Sequence, residues 1–134
     1  ALCLPSWFCE RKEIVPYPMA TVIISLGSNH RQAAHIQWAS QWLQTMLTDT
    51  TCSRLLWTAD IKGSGIMYMN RLIKGTTDLS ADSLNALLKA AEQRCGRQGS
   101  RVSVDLDLMQ YDQQRLHLRD WPRPYIQQLI NDIL

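Results

Sequence analysis

The stretch VSVDLDLM (102–109) sets two aspartates, Asp105 and Asp107, one residue apart, between the aliphatic residues Val102, Val104, Leu106 and Leu108. In an extended chain, side chains at i and i+2 leave the same face, with Cα atoms about 6.5–7 Å apart. Two carboxylates held this close repel, and one tends to keep its proton unless a cation lies between them. Magnesium suits such a pair, because it takes an oxygen shell from one or two protein carboxylates and fills the rest with water and substrate phosphate. The chemistry offered is therefore the binding of a metal-bound polyphosphate. A plainer alternative is a solvated acidic face that pairs with neighbouring arginines.

Arginines are close in sequence: Arg94, Arg97 and Arg101 precede the pair, and Arg115, Arg119 and Arg123 follow it. Beside two carboxylates they are the expected cations for phosphate. Extended geometry turns Arg101 to the same side as Asp105.

Several elements must position these groups. Thr21 to Leu26 reads as a strand, followed by a Gly27-Ser28-Asn29 turn with Asn29 as the N-cap of a helix from His30 to Leu47. Ala34, Trp38, Ala39, Trp42, Leu43 and Met46 form that helix's apolar stripe. A second strand is expected over Thr50 to Thr58 and a third over Ile66 to Lys74, with a glycine-containing loop between. In the third, Tyr68, Asn70 and Leu72 share one face, while Met67, Met69 and Ile73 share the other. A second helix starts after the Ser80 cap and stops at Gly96, with Leu84, Leu87, Leu88, Ala91 and Cys95 on its apolar side and Glu92 just off it. Trp121-Pro122-Arg123-Pro124 introduces a last short helix, Tyr125 to Ile133.

The order strand, helix, strand, strand, helix, strand predicts an α+β fold. It is a ferredoxin-like βαββαβ antiparallel sheet with both helices on one face, plus a short C-terminal helix. The opposite face is left partly open for a ligand. Residues 1–18, broken by Pro5, Pro16 and Pro18, read as a weakly ordered extension ahead of a domain over 19–134, with Met19 as a natural start.

Four segments, in this order, carry a resemblance: VIISLGSN (22–29), YMN (68–70), LSADSLNALLKAAEQRCGR (79–97) and VDLDLMQYD (104–112). Over residues 19–118 the sequence resembles hydroxymethyl-dihydropterin pyrophosphokinase, the folate-pathway enzyme that moves pyrophosphate from ATP to a pterin alcohol. The resemblance implies that Asp105 and Asp107 hold magnesium and are catalytic together with Arg97 and Arg101. It further implies that Glu92, Arg97, His117 and Arg119 stand on the nucleotide side, and that Thr58, Tyr68 and Asn70 line the pterin pocket. The chain departs from the family between Arg97 and Asp105, where seven residues, QGSRVSV, stand in place of a longer mobile loop that closes over the substrates. It also has Arg119-Asp120-Trp121-Pro122 where the family has a Pro-His segment followed by a phosphate-binding arginine.

Composition narrows the other classes. With 46% hydrophobic and 19% charged residues the 134-residue chain reads as one globular domain, and no apolar run approaches the roughly 18 residues of a membrane-spanning helix. A net charge of +2 gives no basic stripe for nucleic acid. The four cysteines form no CxxC pair, and the N-terminal residues lack a secretory pattern, so a cytoplasmic location follows as the default. The expected partners are ATP and a pterin, and the expected state is a monomer or weak homodimer. Three readings stay open: a pyrophosphokinase, a non-catalytic relative that binds pterin or nucleotide, and a ferredoxin-like structural module.

Overall fold

The computed structural model describes residues 18–134; the expectations for residues 1–17 lie outside this range. The described chain runs β1 (Ala20–Ser28), α1 (Gln32–Met46), β2 (Thr48–Cys52), β3 (Leu56–Ala59), β4 (Met67–Thr77), α2 (Ala81–Cys95), β5 (Arg97–Gln98), β6 (Arg101–Val102), β7 (Asp105–Tyr111), β8 (Gln114–Arg115) and α3 (Pro124–Ile130). The main sheet has the order β2-β4-β1-β7-β8, with β3 also on β4, and all its pairs are antiparallel. This is the expected α+β sheet with a short helix after it.

β1 is central and buried on both faces, which explains its nearly unbroken apolar run VIISL. Val22, Ile24 and Leu26 join Met69, Ile73, Val104, Leu106 and Leu108 under α1 and α2. On the opposite face, Ile23, Leu72 and Met109 are covered by Trp121, Ile126, Leu129 and Ile133. This face is thus partly open, as expected, with the C-terminal segment closing one end of it.

The helices differ in how legibly they were written. α2 begins as expected, with Ser80 Oγ accepting from the Ser83 amide at 3.2 Å, and Gly96 ends it at φ 78°. Leu84, Leu88 and Ala91 are buried, whereas Leu87 is 41% exposed and falls outside the stripe. α1 starts later than expected. Its N-cap is Arg31, at φ 45°, because the Asn29 side chain is engaged elsewhere, and its buried face is Ile36, Ala39, Ser40 and Leu43, with Trp42 and Met46 packed partly buried beside it and the exposed Trp38 indole stacked on Trp42.

Two strands also depart from expectation. The segment 50–58 divides into β2 and β3 at Ser53. Ser53 Oγ accepts from the Leu72 amide at 2.8 Å, and the next amide, Arg54, turns to Asp132 Oδ2 at 3.0 Å. The final strand is interrupted at Ser103 and Val104, so Arg101 and Val102 belong to a separate two-stranded hairpin with Arg97 and Gln98. A bulge beyond Ile24↔Leu108, where Ile23 pairs Gln110, shifts the alternation so that Tyr111 packs against the same core as Leu106 and Leu108.

Candidate active site

Three neighbouring strands supply the floor. In register, Gly27 of β1 lies between Asn70 of β4 and Asp105 of β7, and Ser25 lies opposite Asp107. Period-two alternation sends Tyr68, Asn70, Asp105 and Asp107 to the face away from α1 and α2. They line a cavity of about 810 Å³. Gly27 leaves the floor low: a Cβ there would meet Asn70 Oδ1 at 3.5 Å and Tyr68 Cδ1 at 3.8 Å.

One wall is β3 and the turn after it. Asn70 Nδ2 donates to Thr58 Oγ1 at 2.8 Å and to the Leu56 carbonyl at 3.2 Å, which leaves Asn70 Oδ1 over Gly27. Trp57 lines the same wall and is 51% exposed. Asp120, Arg123, Tyr125 and Gln128 form the other wall. Pro124 at the first turn of α3 starts that helix, and Trp121 anchors it by donating from Nε1 to the carbonyls of Leu116 at 2.9 Å and Met109 at 3.2 Å. Burial, then the charge of Asp120, raises the Tyr125 phenol, so it stays a hydrogen-bond donor at neutral pH.

Glu92 joins the aspartates from α2. One oxygen from each of Glu92, Asp105 and Asp107 lies within 4.8 Å of the other two. Glu92 Oε1 accepts from the Leu106 amide at 2.6 Å, which fixes the carboxylate beside β7. Burial, then the charges of Asp107 and Glu92, pushes the Asp105 carboxyl up to about 7, the response expected of crowded like charges. An all-oxygen set opening on a cavity with room for water and phosphate fits a hard divalent cation such as magnesium, and these three residues could hold it.

A lysine that sequence reading passed over stands in this cluster. Lys89 Nζ donates to the Leu106 carbonyl at 2.8 Å, Glu92 Oε1 at 3.1 Å and Asp107 Oδ1 at 3.2 Å. Desolvation works against its charge, but Glu92 and Asp107 outweigh that and raise its pKa. Its position three residues before Glu92 was the available signal, since i and i+3 share a helix face.

The expected cations are placed unevenly. His117 Nε2 comes within 3.9 Å of Asp107 Oδ1. Arg119 is exposed and is not among the cavity's lining residues; Arg123, four residues on, is, with Nε 2.9 Å from Asp120 Oδ1. Arg115 lies over the Trp121 ring at 4.1 Å, and Arg94 beside the Trp38 and Trp42 rings at 5.8 Å. Arg101, displaced from the Asp105 face by the break at Ser103, lines a separate cleft of about 240 Å³ with His30, Arg31 and His35. Arg97 pairs with Val102 in the hairpin. The structure therefore places Thr58, Tyr68, Asn70, Asp105 and Asp107 on one cavity, brings Glu92 and His117 against its aspartates, and leaves Arg101 and Arg119 outside it.

The hairpin is tied down by Asn29. Its Oδ1 accepts from the Val102 amide at 2.6 Å, its Nδ2 donates to the Ser100 carbonyl at 2.8 Å and to Tyr68 Oη at 3.3 Å, and its backbone amide donates to the Val102 carbonyl at 3.0 Å.

The family model for 7,8-dihydro-6-hydroxymethylpterin-pyrophosphokinase (HPPK) matches residues 23–133. The chain belongs to the HPPK family. The match extends past Asp107 through His117, Arg123 and Tyr125, so the HPPK-like region includes both cavity walls as well as the floor. No single curated protein matches the chain. Among the described residues, no helix is long and apolar enough to cross a membrane.

Proposed function

We propose that the protein transfers pyrophosphate from ATP to 6-hydroxymethyl-7,8-dihydropterin, with Asp105, Asp107 and Glu92 holding magnesium. The observation that carries this reading is a single cavity floored by Asn70, Gly27 and Asp105 on successive strands. Strand spacing puts the Asn70 end and the acidic end about 10 Å apart, a span that a bicyclic ring with a one-carbon alcohol arm bridges. Asn70 Oδ1 would accept a ring N–H, and Trp57, Tyr68 and Tyr125 offer aromatic surface for the pterin.

Bound magnesium would neutralise the polyphosphate and bring it to the carboxylate end. The protein's own share is alignment. The pterin hydroxyl oxygen, held in line, forms a bond to the β-phosphorus of ATP as the bond from that phosphorus to the bridging oxygen of AMP breaks. The hydroxyl proton leaves to water. No strong base is required, because positioning and charge neutralisation dominate this class of reaction.

A second reading draws on a specific observation. Arg94 and Arg101 lie away from the cavity, and the lining arginine, Arg123, is already paired with Asp120. That favours a relative that keeps the pterin pocket but turns over slowly or not at all. Incubation with ATP, magnesium and the pterin alcohol tests both: AMP formed in step with pterin diphosphate supports the kinase. Saturable pterin binding without AMP supports the binding protein, and absence of both removes the two together.

A further inference from the structure

We infer that Lys89 is a built-in counter-ion of the acidic cluster, which a divalent cation must displace, so that the site takes metal together with nucleotide rather than free metal. The inference rests on the metal-binding reading above. An ammonium group has three donors, and all three of Lys89 are used: one on the Leu106 carbonyl, one on Glu92 Oε1 and one on Asp107 Oδ1. Two of the three carboxylates that could hold a cation thus already share one. The lysine is not a chance surface contact. Its carbonyl bond to β7 fixes the stem between α2 and the strand, while Glu92 is locked alongside by the Leu106 amide.

Charge explains the consequence. A divalent ion entering among Asp105, Asp107 and Glu92 meets the fixed positive charge of Lys89 at the same oxygens, so free metal gains less there than from an unblocked trio. A nucleotide changes the balance, because its polyphosphate brings negative charge that can receive the released ammonium as the metal takes its place. Lys89 in this account positions the carboxylates in the resting protein and biases the order of binding. It is not assigned to the reacting atoms.

The test is a titration of Mn²⁺ alone, followed by its paramagnetic resonance signal, into the wild type and Lys89→Met, which keeps an unbranched stem without the charge. The expected result is Mn²⁺ binding at least tenfold tighter in the variant. It should come with a lower melting temperature in metal-free buffer that Mn²⁺ restores, because the carboxylates lose their internal cation. Equal or weaker Mn²⁺ affinity in Lys89→Met overturns the inference while leaving the metal site in place. No Mn²⁺ binding by either protein, with or without ATP, removes the metal site and the inference with it. The Lys89 side chain is 41% exposed, so the variant should fold; Lys89→Gln serves the same comparison if it does not.

Discussion

Asp105 links burial to a pH dependence of stability. Its carboxyl is raised to about 7 from an ordinary 3.8, by burial first and then by Asp107 and Glu92. Between those values the folded protein holds a proton that the unfolded chain has released. The stability contributed by this group is therefore fully present below the unfolded value and is lost as pH rises through the folded one. In metal-free buffer the thermal midpoint of the wild type should fall relative to that of Asp105→Asn between about pH 4 and 8. Parallel profiles for the two proteins would show that Asp105 titrates normally. A bound divalent cation should oppose the loss, since it binds the deprotonated carboxylate. The Asp105–Asp107 pair was visible in the sequence because a two-residue spacing has one meaning on a strand. Lys89 was signalled only by its i, i+3 relation to Glu92, because its other partners lie 17 and 18 residues away on β7.

The C-terminal end of β1 makes the corresponding point for elements. Gly27 sits in an ordinary extended conformation, and a small Cβ would make only van der Waals contact with Asn70 and Tyr68. Its importance is space above the floor, not backbone freedom. Gly27→Val should fold, because β-branched residues suit strands, yet weaken pterin binding by roughly tenfold or more by filling the gap between Asn70 and Asp105. Calorimetric titration of the pterin, with melting curves as control, checks this; unchanged affinity in a folded variant would place the pterin elsewhere. The period-two faces of β4 and β7 and the caps of α2 were legible, since each depends on residues close in sequence. What escaped was set by distant partners. The Ser53 hydroxyl takes the Leu72 amide and divides β2 from β3, and the bulge at Met109 shifts the alternation after Leu108. The apolar face of α1 was legible at Ala39, Trp42, Leu43 and Met46, which lie in or against the core, but not at Ile36, and Trp38, large and apolar, is exposed and stacks on Trp42 beside Arg94.

Across the whole molecule, the sheet order and the side on which the helices pack follow from the βαββαβ order, whereas the cover on the other face depends on a C-terminal segment with weak periodicity. Trp121, Ile126, Leu129 and Ile133 close one end of that face and bring Arg123 and Tyr125 to the cavity. No spacing rule announces that a residue after a Trp-Pro turn will reach a site built on three other strands. The hairpin of residues 97–102 was likewise legible only as a shortened loop; that Asn29 clasps it was not. That clasp bears on the timing of the proposed reaction. A long loop that must open before products leave makes release the slow step, and the first turnover then runs ahead of the rest. Here the corresponding segment is held to the end of β1 by three short contacts from one asparagine, at 2.6, 2.8 and 3.0 Å. With no opening to wait for, phosphoryl transfer itself should limit the cycle. Rapid-quench measurements should then show AMP accumulating linearly from the start, and an initial burst approaching one equivalent per protein would contradict this.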